Sequence, residues 1–141
     1  MRKLGIDYGD ARVGLAITDE LNITVQGLET ILRNGSDKVI LKKLDEIFEK
    51  YDVDTIVVGM PFNMDGSISE RAKITEEFVH KLKCKYNKMK IETIDERLTT
   101  VEAHRTMNFL DVKKNKKKNI VDTISAVYIL ETYLNKLKNT V

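Results

Sequence analysis

Asp7-Tyr8-Gly9-Asp10-Ala11-Arg12-Val13-Gly14-Leu15-Ala16 sets an acidic group between two strand-like segments with little side-chain bulk around it. Leu4 and Ile6 alternate with small or polar neighbours up to Asp7, glycines punctuate the turn, and Val13, Leu15 and Ile17 alternate again. This is the pattern of a β-hairpin. Asp7 then ends the first strand, where a carboxylate can face a cleft holding a metal ion or a phosphate, and Gly9 and Gly14 let backbone and ligand approach closely. A plain hairpin turn capped by an aspartate fits the same residues.

Downstream, Thr24 to Leu32 reads as a third strand ended by the turn and cap residues Asn34, Gly35, Ser36 and Asp37. Three consecutive strands predict an antiparallel meander. Val39, Ile40, Leu44, Ile47, Phe48 and Tyr51 recur at helical spacing, and Thr55 to Val58 is a short β-branched run, apolar on both faces, that stops at Gly59. The loop from Gly59 to Ser67 contains the only proline, and Ser67 with Glu70 fits a capping box for a helix carrying Ala72, Phe78, Val79, Leu82 and Tyr86. Lys90 to Asp95 is a fifth strand, and Thr99 with Glu102 fits a second capping box for a helix toward Met107. A basic segment follows, then a closing helix from Ile120 with Ile124, Val127, Leu130, Leu134 and Leu137 on its apolar stripe. The order predicts an α/β protein with a mixed five-stranded sheet, three antiparallel strands then two parallel, and helices on both faces.

A length of 141 residues predicts a single domain over 1–141, and the apolar fraction of 42% argues for a folded, soluble chain. There is no apolar run long enough to span a bilayer and no signal core at the N-terminus, so the expectation is a cytoplasmic protein without membrane contact. Cys84, the one cysteine, has no partner for a disulfide or a thiolate metal site. The formal net charge of +2 excludes a strong global field, but Lys113, Lys114, Lys116, Lys117 and Lys118 concentrate charge that can meet phosphates. A solvated lysine-rich loop is the alternative reading. His80 and His104 lie in helical patterns without matching partners, which argues against zinc or a nucleophilic triad.

Three acidic positions stand out. Asp7 ends the first strand, Glu96 follows the fifth, and Asp122 lies near the start of the last helix, sharing a face with Ser125, Ala126 and Ile129. Ends of neighbouring strands meet at one edge of the sheet, where open α/β sheets bind ligands. Converging carboxylates repel unless a cation intervenes, and hard oxygen donors suit Mg²⁺ or Mn²⁺. Such a site suits phosphodiester hydrolysis with two metal ions. Asp95 and Glu96 point to opposite faces; Glu96 is the favoured inward ligand, and capping or surface pairing is the alternative for each acid. Arg12 and Arg97 are placed to reach phosphates, and Thr100, beside Thr99 at a helix N-terminus, is placed to meet an anion. Lys114 and Lys117 extend the substrate-binding set.

Taken in order, four motifs resemble the YqgF/RuvX family of Holliday junction resolvase-like nucleases. They are Asp7-Tyr8-Gly9 with Arg12-Val13-Gly14-Leu15-Ala16; Gly59-Met60-Pro61 leading to Asp65-Gly66-Ser67; Asp95-Glu96-Arg97-Leu98-Thr99-Thr100 with Glu102-Ala103; and Asp122-Thr123-Ile124-Ser125-Ala126 with Ile129-Leu130. The resemblance covers nearly the whole chain. It implies a ribonuclease H-like fold similar to the RuvC resolvases, a bacterial cytoplasmic setting, and Asp7, Glu96 and Asp122 as metal-binding carboxylates. Ser125 stands where an alanine is usual, and Glu131 where a glutamine is common.

The activity implied is a metal-dependent endonuclease on structured RNA, maturing the 5′ end of pre-16S rRNA in ribosome precursors. Resolution of branched DNA as a Holliday junction resolvase is the rival, and it needs two sites about a two-fold axis. A ribosome-assembly factor that binds nucleic acid without cutting it is a third reading. The expected state is a monomer or weak homodimer.

Overall fold

The computed structural model describes residues 1–96 and 114–139, with side chains described over 123–138 in the second of these segments. Five strands, β1 (Arg2–Tyr8), β2 (Arg12–Thr18), β3 (Val25–Leu32), β4 (Val53–Met60) and β5 (Lys90–Asp95), form one sheet in the order β3-β2-β1-β4-β5. The first three strands are antiparallel, and β1–β4 and β4–β5 are parallel. Three helices pack on it, α1 (Lys38–Lys50), α2 (Glu70–Lys85) and α3 (Lys114–Asn139). The mixed sheet with helices on both faces is the expected one. Among the described residues no helix is long and apolar enough to cross a membrane.

Alternation along β1 sorts the core into two layers. Leu4, Ile6 and Tyr8, with Val13, Leu15 and Ile17 of β2, meet Ile40, Leu44 and Ile47 of α1 and Phe78, Val79 and Leu82 of α2. On the other face Ala16, Val57 and Ile94 meet Ala126, Ile129, Leu130, Tyr133 and Leu134 of α3. Each such Leu or Ile, once buried, contributes roughly 1.5–3 kcal/mol.

The α3 face is built from absent side chains. A Cβ on Gly5 would lie 2.6 Å from Leu130 Cγ and 2.9 Å from the Ala126 carbonyl oxygen, and one on Gly27 would lie 2.3 Å from Thr123 Cγ2. Thr123 also shares a 2.8 Å hydrogen bond with Thr30 of β3. At Gly59 a Cβ would lie 2.5 Å from Ile129 Cδ1. One turn on, the Tyr133 hydroxyl is pushed above its ordinary pKa by burial, with Lys90 opposing and Glu92 and Asp54 adding to the shift. The helix has by then reached the beginnings of β4 and β5, so α3 runs antiparallel to β1, β4 and β5.

Local readings differ from the structure in three places. β4 extends to Val53–Met60, beyond the expected Thr55–Val58. Ser69, not Ser67, caps α2, accepting from the Ala72 amide at 3.0 Å, because the Ser67 hydroxyl donates to Asp65 at 2.6 Å and accepts from Asn63. α3 is helical from Lys114, six residues before the expected Ile120, so Lys114, Lys116, Lys117 and Lys118 are on helix and not loop. Lysine is a good helix former. Within α3 Ile124 is only half-buried and Leu137 is exposed, while Tyr133 and Ile129 take the core positions. The helix expected over Thr99 to Met107 lies outside the described residues.

Asp37 precedes α1 but does not cap it. Its carboxylate instead accepts from the Tyr8 hydroxyl, from Arg33 Nε at 3.1 Å and from Lys81 Nζ at 2.8 Å. One side chain therefore joins β1, the β3–α1 turn and α2. Burial opposes its ionisation, but the hydrogen bonds from Lys81, Tyr8 and Arg33 outweigh it and hold the carboxyl below its usual value. The Tyr8 phenol is pushed up, first by burial and then by its bond to Asp37.

Two outcomes follow from this packing. Gly5→Ala should destabilise the fold by about 1–3 kcal/mol, read as a lower urea midpoint with an unchanged denaturant slope, because its Cβ meets backbone as well as the Leu130 side chain. The Asp37 carboxyl is lowered in the folded state, so its contribution is fully present above the unfolded value near ~4 and is lost as pH falls through the folded value. Thermal melts of wild type and Asp37→Asn should differ at pH 7 and converge below about pH 4.

Candidate nucleic-acid-processing site

The parallel strands β1, β4 and β5 end at one edge, and the expected acids are placed there by strand parity. Asp7 shares parity with Gly5, so it projects from β1 toward the α3 side. It is 7% exposed, a low value for a carboxylate. Gly14 is its register partner on β2, and Gly59 lies one residue past the β4 partner of Ile6. Glycines therefore flank Asp7 on both neighbouring strands.

Glu96 follows β5 with the parity of Ile94, which packs against α3. A Cβ on Gly59 would lie 3.6 Å from Glu96 Cδ, so the glutamate leans over the end of β4 on the Asp7 face. Asp95, one residue earlier, has the opposite parity. Glu96 is half-buried and remains open on one side. The glycine at position 59, read from sequence as a strand stop and as the start of the Gly59-Met60-Pro61 motif, is thus the space that lets the carboxylate following β5 reach toward β1.

Asp122 belongs to α3, one turn before Ala126. Because the Ala126 carbonyl lies over Gly5 and the helix runs antiparallel to β1, the backbone at 122 lies toward the Asp7 end of that strand. Among the described residues no three His, Cys, Asp or Glu side chains form a metal-holding group. The Asp122 side chain is not one of those described.

Arg12 opens β2 with the parity of Gly14 and Ala16, so it stands on the same face as Asp7, half-buried, and no described carboxylate pairs with it. Its carbonyl accepts from the Gly9 amide at 2.9 Å and would lie 2.6 Å from a Cβ on Gly9. That contact requires glycine in the turn. Lys114 and Lys117 lie in the first turns of α3, at the helix end nearest this edge. Arg97, Thr99 and Thr100 lie outside the described residues.

Sequence reading missed the groups beneath this corner. Tyr8 stacks on Phe78 with ring centroids 4.1 Å apart, and the Arg33 guanidinium lies 5.0 Å from the Tyr8 ring centre. The one local signal was the four-residue spacing of Arg33 and Asp37, and Tyr8 and Lys81 are remote in sequence.

Known proteins match the chain over nearly its whole length. The chain is 50% identical over 135 residues to a protein of Acetivibrio thermocellus named "Putative pre-16S rRNA nuclease", covering 96% of each chain. It is 51% identical over 137 residues to a protein of the same name from Ruminiclostridium cellulolyticum, covering 97% of this chain and 96% of that one. In fold it is similar to the RuvC of T. thermophilus solved in complex with a Holliday junction substrate, with a TM-score of 0.58 at 12% identity over 97% of this chain and 96% of that one. The family model described as "RuvX: Holliday junction resolvase" matches residues 1–136. A sheet edge carrying Asp7 and Glu96 under an antiparallel final helix thus sits in a chain matched almost end to end, and the protein belongs to the RuvX family.

Proposed function

We propose that this protein is a metal-dependent endonuclease that hydrolyses phosphodiester bonds in structured RNA, with the 5′ end of pre-16S rRNA as its substrate in the cytoplasm. The observation that carries the proposal is the placement of Asp7 and Glu96 on one face and at one end of β1 and β5, the two strands that flank β4, with Gly59 of β4 between them and Gly14 beside Asp7. The names of the relatives supply the RNA, and membership of the family supports the nuclease chemistry.

The donor set fits a hard divalent cation. Two carboxylates lean toward a glycine-lined corner, and like charges brought together there favour a cation of the Mg²⁺ or Mn²⁺ class. Asp7, Glu96 and Asp122 are the residues that would hold it. Bound there, the metal would lower the pKa of the attacking water and stabilise charge on the departing oxygen. The residues of the chain do the rest. Asp7 is held at the end of a strand buried from Leu4 to Tyr8, so its carboxylate is oriented before substrate arrives. Arg12, on the same face without a described carboxylate partner, offers its guanidinium to a phosphate oxygen. Lys114 and Lys117, with Arg97 and Thr100, extend the contact along the backbone of the nucleic acid.

Cleavage of branched DNA is the second reading, favoured by the description of the matching family. It requires paired sites about a two-fold axis, whereas the RNA reading is satisfied by a monomer or weak homodimer. A binding protein without catalysis is the third.

Purified protein incubated with precursor rRNA and with a four-way DNA junction, in Mg²⁺, Mn²⁺ or EDTA, separates these readings. The rRNA should be cut near its 5′ end in either metal and not in EDTA. Asp7→Asn, Glu96→Gln and Asp122→Asn should each reduce the rate by about a hundredfold or more with the fold retained by circular dichroism. Symmetric junction cleavage would replace the RNA reading, and equal cutting by the variants would remove the site. Arg12→Ala should weaken binding of the same RNA and reduce the slope of log affinity against log salt by roughly one.

A further inference from the structure

An acidic residue immediately before a helix normally turns its carboxylate back onto the helix amides. Asp37 does not. It turns toward β1, where both oxygens are used: Oδ1 by the Tyr8 hydroxyl and Arg33 Nε, Oδ2 by Lys81 Nζ. The side chain is 9% exposed, so these bonds form away from bulk water, although Lys81 itself is 56% exposed.

Two of the three partners of Asp37, Tyr8 and Arg33, lead back to the same short segment. Tyr8 follows Asp7 directly, and its ring is held between Phe78 on one side and the Arg33 guanidinium on the other. Arg33 also holds the turn itself, its amide donating to the Ala11 carbonyl at 2.9 Å and its Nη1 to the Asp10 carbonyl at 3.3 Å. The Gly9 amide closes the turn on the Arg12 carbonyl. Residues 8–12 are thus gripped from the α1–α2 side, while Asp7 and Arg12 present their side chains on the other. In a strand the direction of one side chain fixes that of the next, because successive Cβ atoms leave opposite faces.

We propose that Asp37, acting through Tyr8 and Arg33, is a positioning residue that sets the orientation of the Asp7 carboxylate for a divalent cation. The inference rests on the reading of Asp7 as a metal-holding group. It differs from a purely stabilising role in one respect: molecules that remain folded without the grip should still bind the cation poorly.

The chain contains its own control. Tyr86, Asp45 and Lys85 repeat the same chemistry between α1 and α2, with Asp45 accepting from the Tyr86 hydroxyl at 2.7 Å and from Lys85 Nζ at 2.9 Å, but no hydrogen bond joins this trio to residues 7–12. Tyr8→Phe keeps the ring against Phe78 and removes only the hydroxyl, and Tyr86→Phe makes the identical change in the control trio.

Mn²⁺ binding by calorimetry, on full-length protein at a temperature where circular dichroism shows every variant folded, tests the proposal. Amide hydrogen exchange resolved by segment accompanies it. Tyr8→Phe and Asp37→Asn should weaken Mn²⁺ binding by about tenfold and speed exchange at the amides of Gly9 and Arg33, with β4 unchanged. Tyr86→Phe should bind Mn²⁺ as wild type does. Wild-type binding with equal affinity in Tyr8→Phe and Asp37→Asn overturns the positioning role alone, as does an equal loss in Tyr86→Phe. Absence of Mn²⁺ binding by the wild type overturns the reading of Asp7 and this inference with it.

Discussion

Close approach of α3 to the sheet is the constraint on which the rest of the structure depends. Gly5 and Gly27 bring helix atoms to within the space that a methyl group would occupy, and Gly59 does the same at the strand ends. Packing at this distance removes any freedom for the helix to slide, since protein interiors tolerate small volume errors poorly. The same omission of side chains that admits the helix also opens the corner around Asp7. Stability and access are therefore supplied by one set of residues.

The two faces of β1 divide the labour. On the α1–α2 side the strand is anchored by Leu4, Ile6 and Tyr8 in a dense apolar layer, with the Asp37 carboxylate at its margin. On the α3 side it offers glycine and then an aspartate. A carboxylate that is nearly buried at the end of a strand covered on both faces has little freedom to reorient, which is what preorganised binding of a cation or a phosphate requires. Arg12 adds a positive group on the same face, so the corner combines opposite charges within one turn.

Much of this was legible in the residues. Alternation in β1, β2 and β5 marks the strands because each has at least one face in contact with a core, and the parity of Ile94 already separates Glu96 from Asp95. Legibility fails where a side chain is claimed by a partner other than the one its sequence pattern suggests. Ser67 and Ser69 both precede a helix, and the loop hydrogen bonds of Asp65 and Asn63, which take Ser67, decide between them. Ile124 and Leu137 fit an apolar stripe, yet the sheet meets the helix along Ser125, Ala126 and Ile129, the face with small residues. Asp37 resembles an ordinary cap, and of its partners only Arg33 is signalled by local spacing, while Tyr8 and Lys81 come from distant segments.

The pairing of Gly5 with Ala126 and Leu130 joins the first strand to the last helix. During synthesis β1 emerges early and its α3 face stays uncovered until nearly all of the chain has been made, because contacts so distant in sequence form late. The helix that covers Gly5 is accordingly absent from every nascent chain that stops short of α3, and β1 must wait with one face bare for the last element made.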